Sequence, residues 1–147
     1  MTDLKAWRDK HTSLICACRT IRDRFGEAAV DAVAAQHMAN IREAYAAKAR
    51  DMGRNDLEAF ASQMGGHPLT HDREVLRSDG NVFEVRITRC YHAEVFAEQD
   101  ARDVGLKFMC AGDEAMIAGF NPKIRLERPE LLMNGDACCH FIYTLDE

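Results

Sequence analysis

Residues 72–89 read DREVLRSDGNVFEVRITR, and the fold turns on how this stretch is read. Asp79-Gly80 lies between two runs of strand-forming residues and is a strong signal for a two-residue hairpin joining strands at 72–78 and 81–89. In the second run Phe83, Val85 and Ile87 point one way while Glu84, Arg86 and Thr88 point the other, so the sheet buries one face and wets the other. Downstream, residues 123–128 alternate with Ile124 and Leu126 inward. Residues 139–145 set Cys139, Phe141, Tyr143 and Leu145 on one face and His140, Ile142 and Thr144 on the other. Two helical patterns are inserted between these strands. One runs from Cys90 to about residue 103 and carries Val95, Phe96 and Ala97; the other covers 113–120 and is closed by Gly119 and Pro122. Residues 106–110 are expected to form a short strand or a buried connector.

Upstream of the hairpin the period is helical. Leu4, Trp7, Leu14, Ile15, Cys18, Ile21 and Phe25 form the stripe of an amphipathic helix, with His11 in register, Thr2 or Asp3 as cap and Gly26 as stop. A second, alanine-rich helix is expected from 27 to about 50, stopped by Gly53, with Val30, Val33, Ala34, His37, Ile41 and Tyr45 on one face. Its small side chains suit close packing and make it a plausible homo-oligomer surface. A third helix at about 56–64 carries Leu57, Phe60 and Ala61 and stops at Gly65-Gly66; His67 and His71 then flank a proline turn and read as solvated. The whole is a single α+β domain over 1–147: a helical half (1–66) whose layer packs on an antiparallel sheet of about four strands in the second half (67–147).

A chain of 147 residues supports one hydrophobic core. With 19 basic and 24 acidic residues the net charge is −5, so no basic footprint for nucleic acid or an anionic membrane exists. No run of about eighteen apolar residues occurs and the N-terminus is charged, which leads to the expectation of a cytoplasmic protein with a small-molecule partner. In that compartment the six cysteines are expected to be free thiols rather than a disulfide framework.

Three of them stand where chemistry is possible. Cys90 opens a helix after a strand, where the helix dipole and free N–H groups favour a thiolate; the plain alternative is a small apolar side chain at a corner. Cys110 and Asp113 are three apart at the next helix start, where Asp113 serves as a cap or holds a polar substrate group. Cys139 alternates with Phe141 and Tyr143 and should aim at the helices, so the three thiols can converge. His140 then points away from Cys139 unless a bulge rotates it. His92 is near Cys90 in sequence but expected on the exposed side, and Glu94, one turn into the helix, reads as a cap or a base for water. The separations of Cys90, Cys110 and Cys139 contain no C-x-x-C knuckle, so zinc is a minor alternative and no cofactor is expected.

Cys110-x-x-Asp113, Gly119-Phe120-Asn121-Pro122-Lys123-Ile124, Leu126-Glu127-Arg128, Gly135-Asp136 and Cys139-His140-Phe141, preceded by Arg89-Cys90 and Ala93-Glu94, resemble the L-2-amino-thiazoline-4-carboxylic acid hydrolase family over about residues 82–145. Tyr91 and His140 stand where the family pattern tends to proline and aspartate. The resemblance implies a hydrolase opening a non-peptide C–N bond of a cyclic amidine-like heterocycle, with 2-amino-thiazoline-4-carboxylate giving an N-carbamoyl-cysteine. It points to Cys110 or Cys90 as the attacking thiol, with Cys139 close by, and to Asp113 or Glu94 as the proton shuttle. Asn121 and His140 would contact the substrate, and Arg89 or Arg125 would pair with its carboxylate. A reading from another class is a sensory domain, similar in layout to vinyl-reductase-type small-molecule-binding domains, that uses the same cysteines to hold a ligand or a metal without turnover.

Overall fold

A computed structural model describes residues 3–64 and 66–146, so Thr2 and Gly65, expected as a cap and a stop, lie outside the described residues. Helices α1 (Leu4–Phe25), α2 (Glu27–Met52) and α3 (Leu57–Gln63) occupy the N-terminal half. Their ends follow from local chemistry. Asp3 and Asp56 accept the N–H groups of Lys5 and Ala59, satisfying first-turn donors, and Gly53 takes the left-handed conformation that ends α2 at φ 63°.

The sheet comprises β1 (His71–Ser78), β2 (Val82–Cys90), β3 (Arg125–Glu130) and β4 (Cys139–Thr144) in the order β1-β2-β4-β3, every pair antiparallel. This is the α+β layout anticipated from the alternation. Phe83, Val85, Phe141 and Tyr143 face the helices and join Leu57, Phe60, Ile117 and Phe120 in one buried cluster. A second cluster ties Ile15, Cys18 and Val30 of the first two helices to Phe96, Val104, Phe108 and Met133.

Several local expectations are corrected. The hairpin loop is longer than two residues: β1 ends at Ser78 and β2 begins at Val82, because the Asp79 carboxylate accepts the N–H groups of Asn81 and Val82, each at 2.9 Å. The single helix expected over 90–103 is broken. α4 (Tyr91–Glu98) ends, Asp100 turns the chain at φ 52°, and α5 (Arg102–Gly105) starts afresh. Residues Leu106–Cys110 are not a strand but a π-helical turn, closed by the Ala111 N–H on the Leu106 carbonyl at 3.0 Å, that leads directly into α6 (Gly112–Phe120). Asp113 therefore lies inside a continuing helix, and Ala111 holds the position where Asp113 was expected as cap. His37 is exposed and stacks toward Phe108 rather than entering the core.

Helix α6 packs closely on α2: a Cβ on Gly119 would meet the Arg42 carbonyl oxygen at 2.0 Å. That approach fixes where the π turn, and hence Cys110 and Asp113, sits over the sheet.

Candidate functional site

The site begins with a register. His71 pairs with Cys90 and Asp72 with Arg89, but Arg73 pairs with Ile87, so Thr88 is one residue more than β1 can match. Strict alternation from Ile87 would turn Arg89 inward. The bulge resets the alternation, so Cys90 faces the helices and Arg89 faces out. There the Arg89 guanidinium pairs with Asp72 at 3.0 Å. It also donates to the Pro68 carbonyl at 3.3 Å.

Between the inner sheet face, the end of α3, α4 and the π turn lies a cavity of about 290 Å³. Cys90, Cys110, Cys139 and Asp113 all line it, although they come from three separate stretches of chain. Most of the remaining wall is apolar: Met64, Met109, Met116 and Met133 with Phe83, Val85 and Phe141.

The three thiols differ in their partners. Cys90 Sγ is 3.5 Å from His71 Nε2. The Thr70 hydroxyl donates to the His67 carbonyl at 3.0 Å, so toward His71 Nδ1, 2.9 Å away, it can only accept. This places the imidazole proton on Nδ1 and leaves the Nε2 lone pair facing the thiol. Burial, and then the charges of Arg89 and Arg73, lower the His71 pKa, so the ring is a neutral base at pH 7. Burial pushes the Cys90 thiol up, opposed by the backbone N–H groups of Ala93 and His92 at the start of α4. Cys110 has no such help: burial, then the nearby Asp113 carboxylate, pushes it to about 12. Cys139 accepts the Leu132 N–H at 3.3 Å yet is still pushed by burial to about 11.

Asp113 has the opposite perturbation to a surface carboxylate. Burial raises it to about 6 even though Arg128, 3.4 Å away, favours its charged form. Arg128 is itself held by the Cys110 carbonyl at 2.6 Å and by Glu114 at 3.1 Å. Near this pair the Tyr143 hydroxyl is fully buried and has no hydrogen-bond partner among the described residues.

His92 also lines the cavity, against the expectation of exposure. Helix α4 buries His92 and Ala93 as well as Val95 and Phe96, because it packs on α1, where Trp7 and His11 meet it. His92 Nδ1 and His11 Nε2 are 2.8 Å apart, and burial lowers both rings to about 4.

The other residues named from sequence lie elsewhere. Glu94 is exposed on the solvent side of α4. The Asn121 amide donates to the Asn55 carbonyl at 2.9 Å, and its oxygen accepts the Lys123 N–H at 3.0 Å, so it fixes the turn after α6. Arg125 pairs with Asp146 at 2.8 Å on an edge strand. His140 bonds Glu84 at 2.6 Å on the outer face of the sheet, since β4 alternates without a bulge there. His71 and Thr70 were missed. The proline turn marked them as loop, and only the register identifies His71 as the residue opposite Cys90.

Among the described residues no three His, Cys, Asp or Glu side chains converge closely enough to hold a metal ion, and no helix is long and apolar enough to cross a membrane. No curated protein matches the chain. Among solved structures it is similar to the phenol-responsive sensory domain of the transcription activator PoxR, in its crystal structure with phenol. The identity is 11% and the TM-score 0.46, over 90% of this chain and 73% of that one. The family model of L-2-amino-thiazoline-4-carboxylic acid hydrolase matches residues 8–143, and the chain belongs to that family.

Proposed function

We propose that this protein is a cysteine hydrolase that opens a small cyclic amidine-like heterocycle of the 2-amino-thiazoline-4-carboxylate type, with Cys90 as nucleophile, His71 as its base and Asp113 as a proton donor. The observation that carries this reading is the Cys90 Sγ to His71 Nε2 contact of 3.5 Å, with His71 oriented by Thr70, at the wall of a cavity of about 290 Å³. A cavity of that size suits a substrate of roughly ten heavy atoms. Cys110 and Cys139, held protonated, serve as wall rather than as reagent.

His71 takes the Cys90 proton, and the thiolate adds to the ring carbon that bears sulfur and two nitrogens. That carbon is made electrophilic by a proton on the amidine. The ring C–S bond breaks and the sulfur leaves as a thiol, its proton supplied from Asp113, which at a pKa of about 6 carries a proton part of the time. His71 passes the Cys90 proton through cavity water to the Asp113 carboxylate, and the neutral ring then deprotonates the water that adds to the enzyme-bound isothiouronium carbon; Cys90 leaves as thiolate and takes that proton back. One water is consumed, nothing is oxidised or reduced, and both nitrogens stay on the carbon of the N-carbamoyl-cysteine. For this substrate the bond opened is therefore C–S, not the C–N bond expected from the likeness alone.

Mass-shift labelling with iodoacetamide, together with turnover of 2-amino-thiazoline-4-carboxylate, tests the reading. Cys90 is expected to react first of the three cavity thiols, and Cys90→Ser to abolish turnover while Cys110→Ser and Cys139→Ser retain it. Full activity in Cys90→Ser, or no ring opening by the unmodified protein, would overturn it.

A further inference from the structure

One cation faces the cavity without a counter-charge. Arg73 lines the wall beside His71, two residues along the same face of β1, opposite Ile87. Neighbouring arginines of the hairpin are each neutralised: Arg77 by Asp79, Arg86 by Glu74 and Arg89 by Asp72. Arg73 has no carboxylate within 4.0 Å among the described residues. The one carboxylate on the cavity wall, Asp113, is already paired with Arg128. The cavity thus carries an uncompensated positive charge in a mostly apolar wall, in a protein whose net charge is −5.

We propose that Arg73 is the substrate anchor: its guanidinium takes the carboxylate of the heterocycle and restricts the site to small substrates that bear one. The inference rests on the hydrolase reading and names the substrate class of that site. The spacing favours it. Residues two apart on a strand are about 6.7 Å apart, so a carboxylate held by Arg73 lets a ring reach back past His71 to Cys90 on the adjacent strand. A guanidinium donates two parallel N–H bonds to a carboxylate, which fixes the ring's orientation as well as its position. The two arginines favoured from sequence are turned away from this space, Arg89 by the Thr88 bulge and Arg125 by its place on β3.

The test compares the carboxylate substrate with its decarboxylated counterpart, 2-amino-2-thiazoline, by turnover and by calorimetric binding. Arg73→Gln is expected to raise KM and Kd for the carboxylate roughly 10- to 100-fold, to leave kcat within about threefold, and to move both constants for 2-amino-2-thiazoline by no more than about threefold. Arg73→Lys should recover part of the loss. Because Arg73 is exposed at the mouth of the cavity, its variants should melt with the parent protein. Equal losses on both ligands, or no loss on either, overturn the assignment. So does a parent protein that binds the carboxylate no more tightly than the ring that lacks it. If the parent turns over neither compound yet binds the carboxylate in an Arg73-dependent way, the hydrolase reading falls and the anchor stands.

Discussion

The cavity holds the same element, sulfur, beside two different kinds of partner. At the hairpin end Cys90 sits across from an imidazole that can take its proton and beside the first N–H groups of α4. Cys110 and Cys139 instead lie by the π turn, Leu132 and Met133, with a carboxylate rather than a base as the charge acting most strongly on Cys110. Burial raises all three thiols, so burial does not select the reactive one. A hydrogen-bonding base does, and it comes from the strand partner rather than from anything adjacent in sequence.

Replacing Cys90 by serine should sharpen this contrast most, lowering kcat/KM roughly a thousandfold or more, whereas serine at Cys110 or Cys139 should cost less than about tenfold. Steady-state kinetics on the three variants decides; a Cys110 variant as damaged as the Cys90 one would break the comparison. Next is His71→Asn, expected to lower kcat roughly 10²- to 10³-fold. The depressed His71 pKa keeps the base neutral below the usual 6.5, so the acidic limb of the parent's kcat/KM profile should fall below pH 6.5 and should be lost in the variant.

Around Asp113 and Arg128 the expected effect is on stability rather than rate. Arg128→Met leaves Asp113 without its partner and frees the Cys110 carbonyl, so urea unfolding should show a loss of about 2 kcal/mol, and Arg128→Met with Asp113→Asn should recover part of it. At least comparable in size is a pH slope from the buried pair His11 and His92. Both are depressed to about 4, so the unfolded chain binds more protons between pH 6.5 and 4 and stability falls as pH drops through that window. Urea midpoints at pH 7, 5.5 and 4.5 should decline, with a shallower slope in His92→Gln. Least affected should be His140→Gln and Arg125→Gln, which lie on the outer face and an edge of the sheet and should keep activity within about twofold.

Much of the layout was legible from alternation and helical period. The inward set Cys139, Phe141 and Tyr143 and the limits of α1 and α2 follow from spacing alone. What escaped were two surplus residues with no compositional mark. Thr88 looks like any strand residue, yet it decides that Cys90 and not Arg89 faces inward. The apolar run LKFMC at 106–110 fits a short strand as well as a helix; the neighbouring α5 and α6 settle it as a wide turn. Asn121 and Arg125 share a cause of error, since a polar residue near a motif was assigned to a ligand when its hydrogen bonds are already taken by the chain.

The Thr88 insertion acts as a selector with two settings. Were the same residues paired through that point without the bulge, parity along β2 would present a guanidinium to the hollow and turn the sulfur toward water. A pocket so altered would clasp anions without attacking them, a receptor in place of a reagent. A one-residue step of pairing register separates those two outcomes on one scaffold.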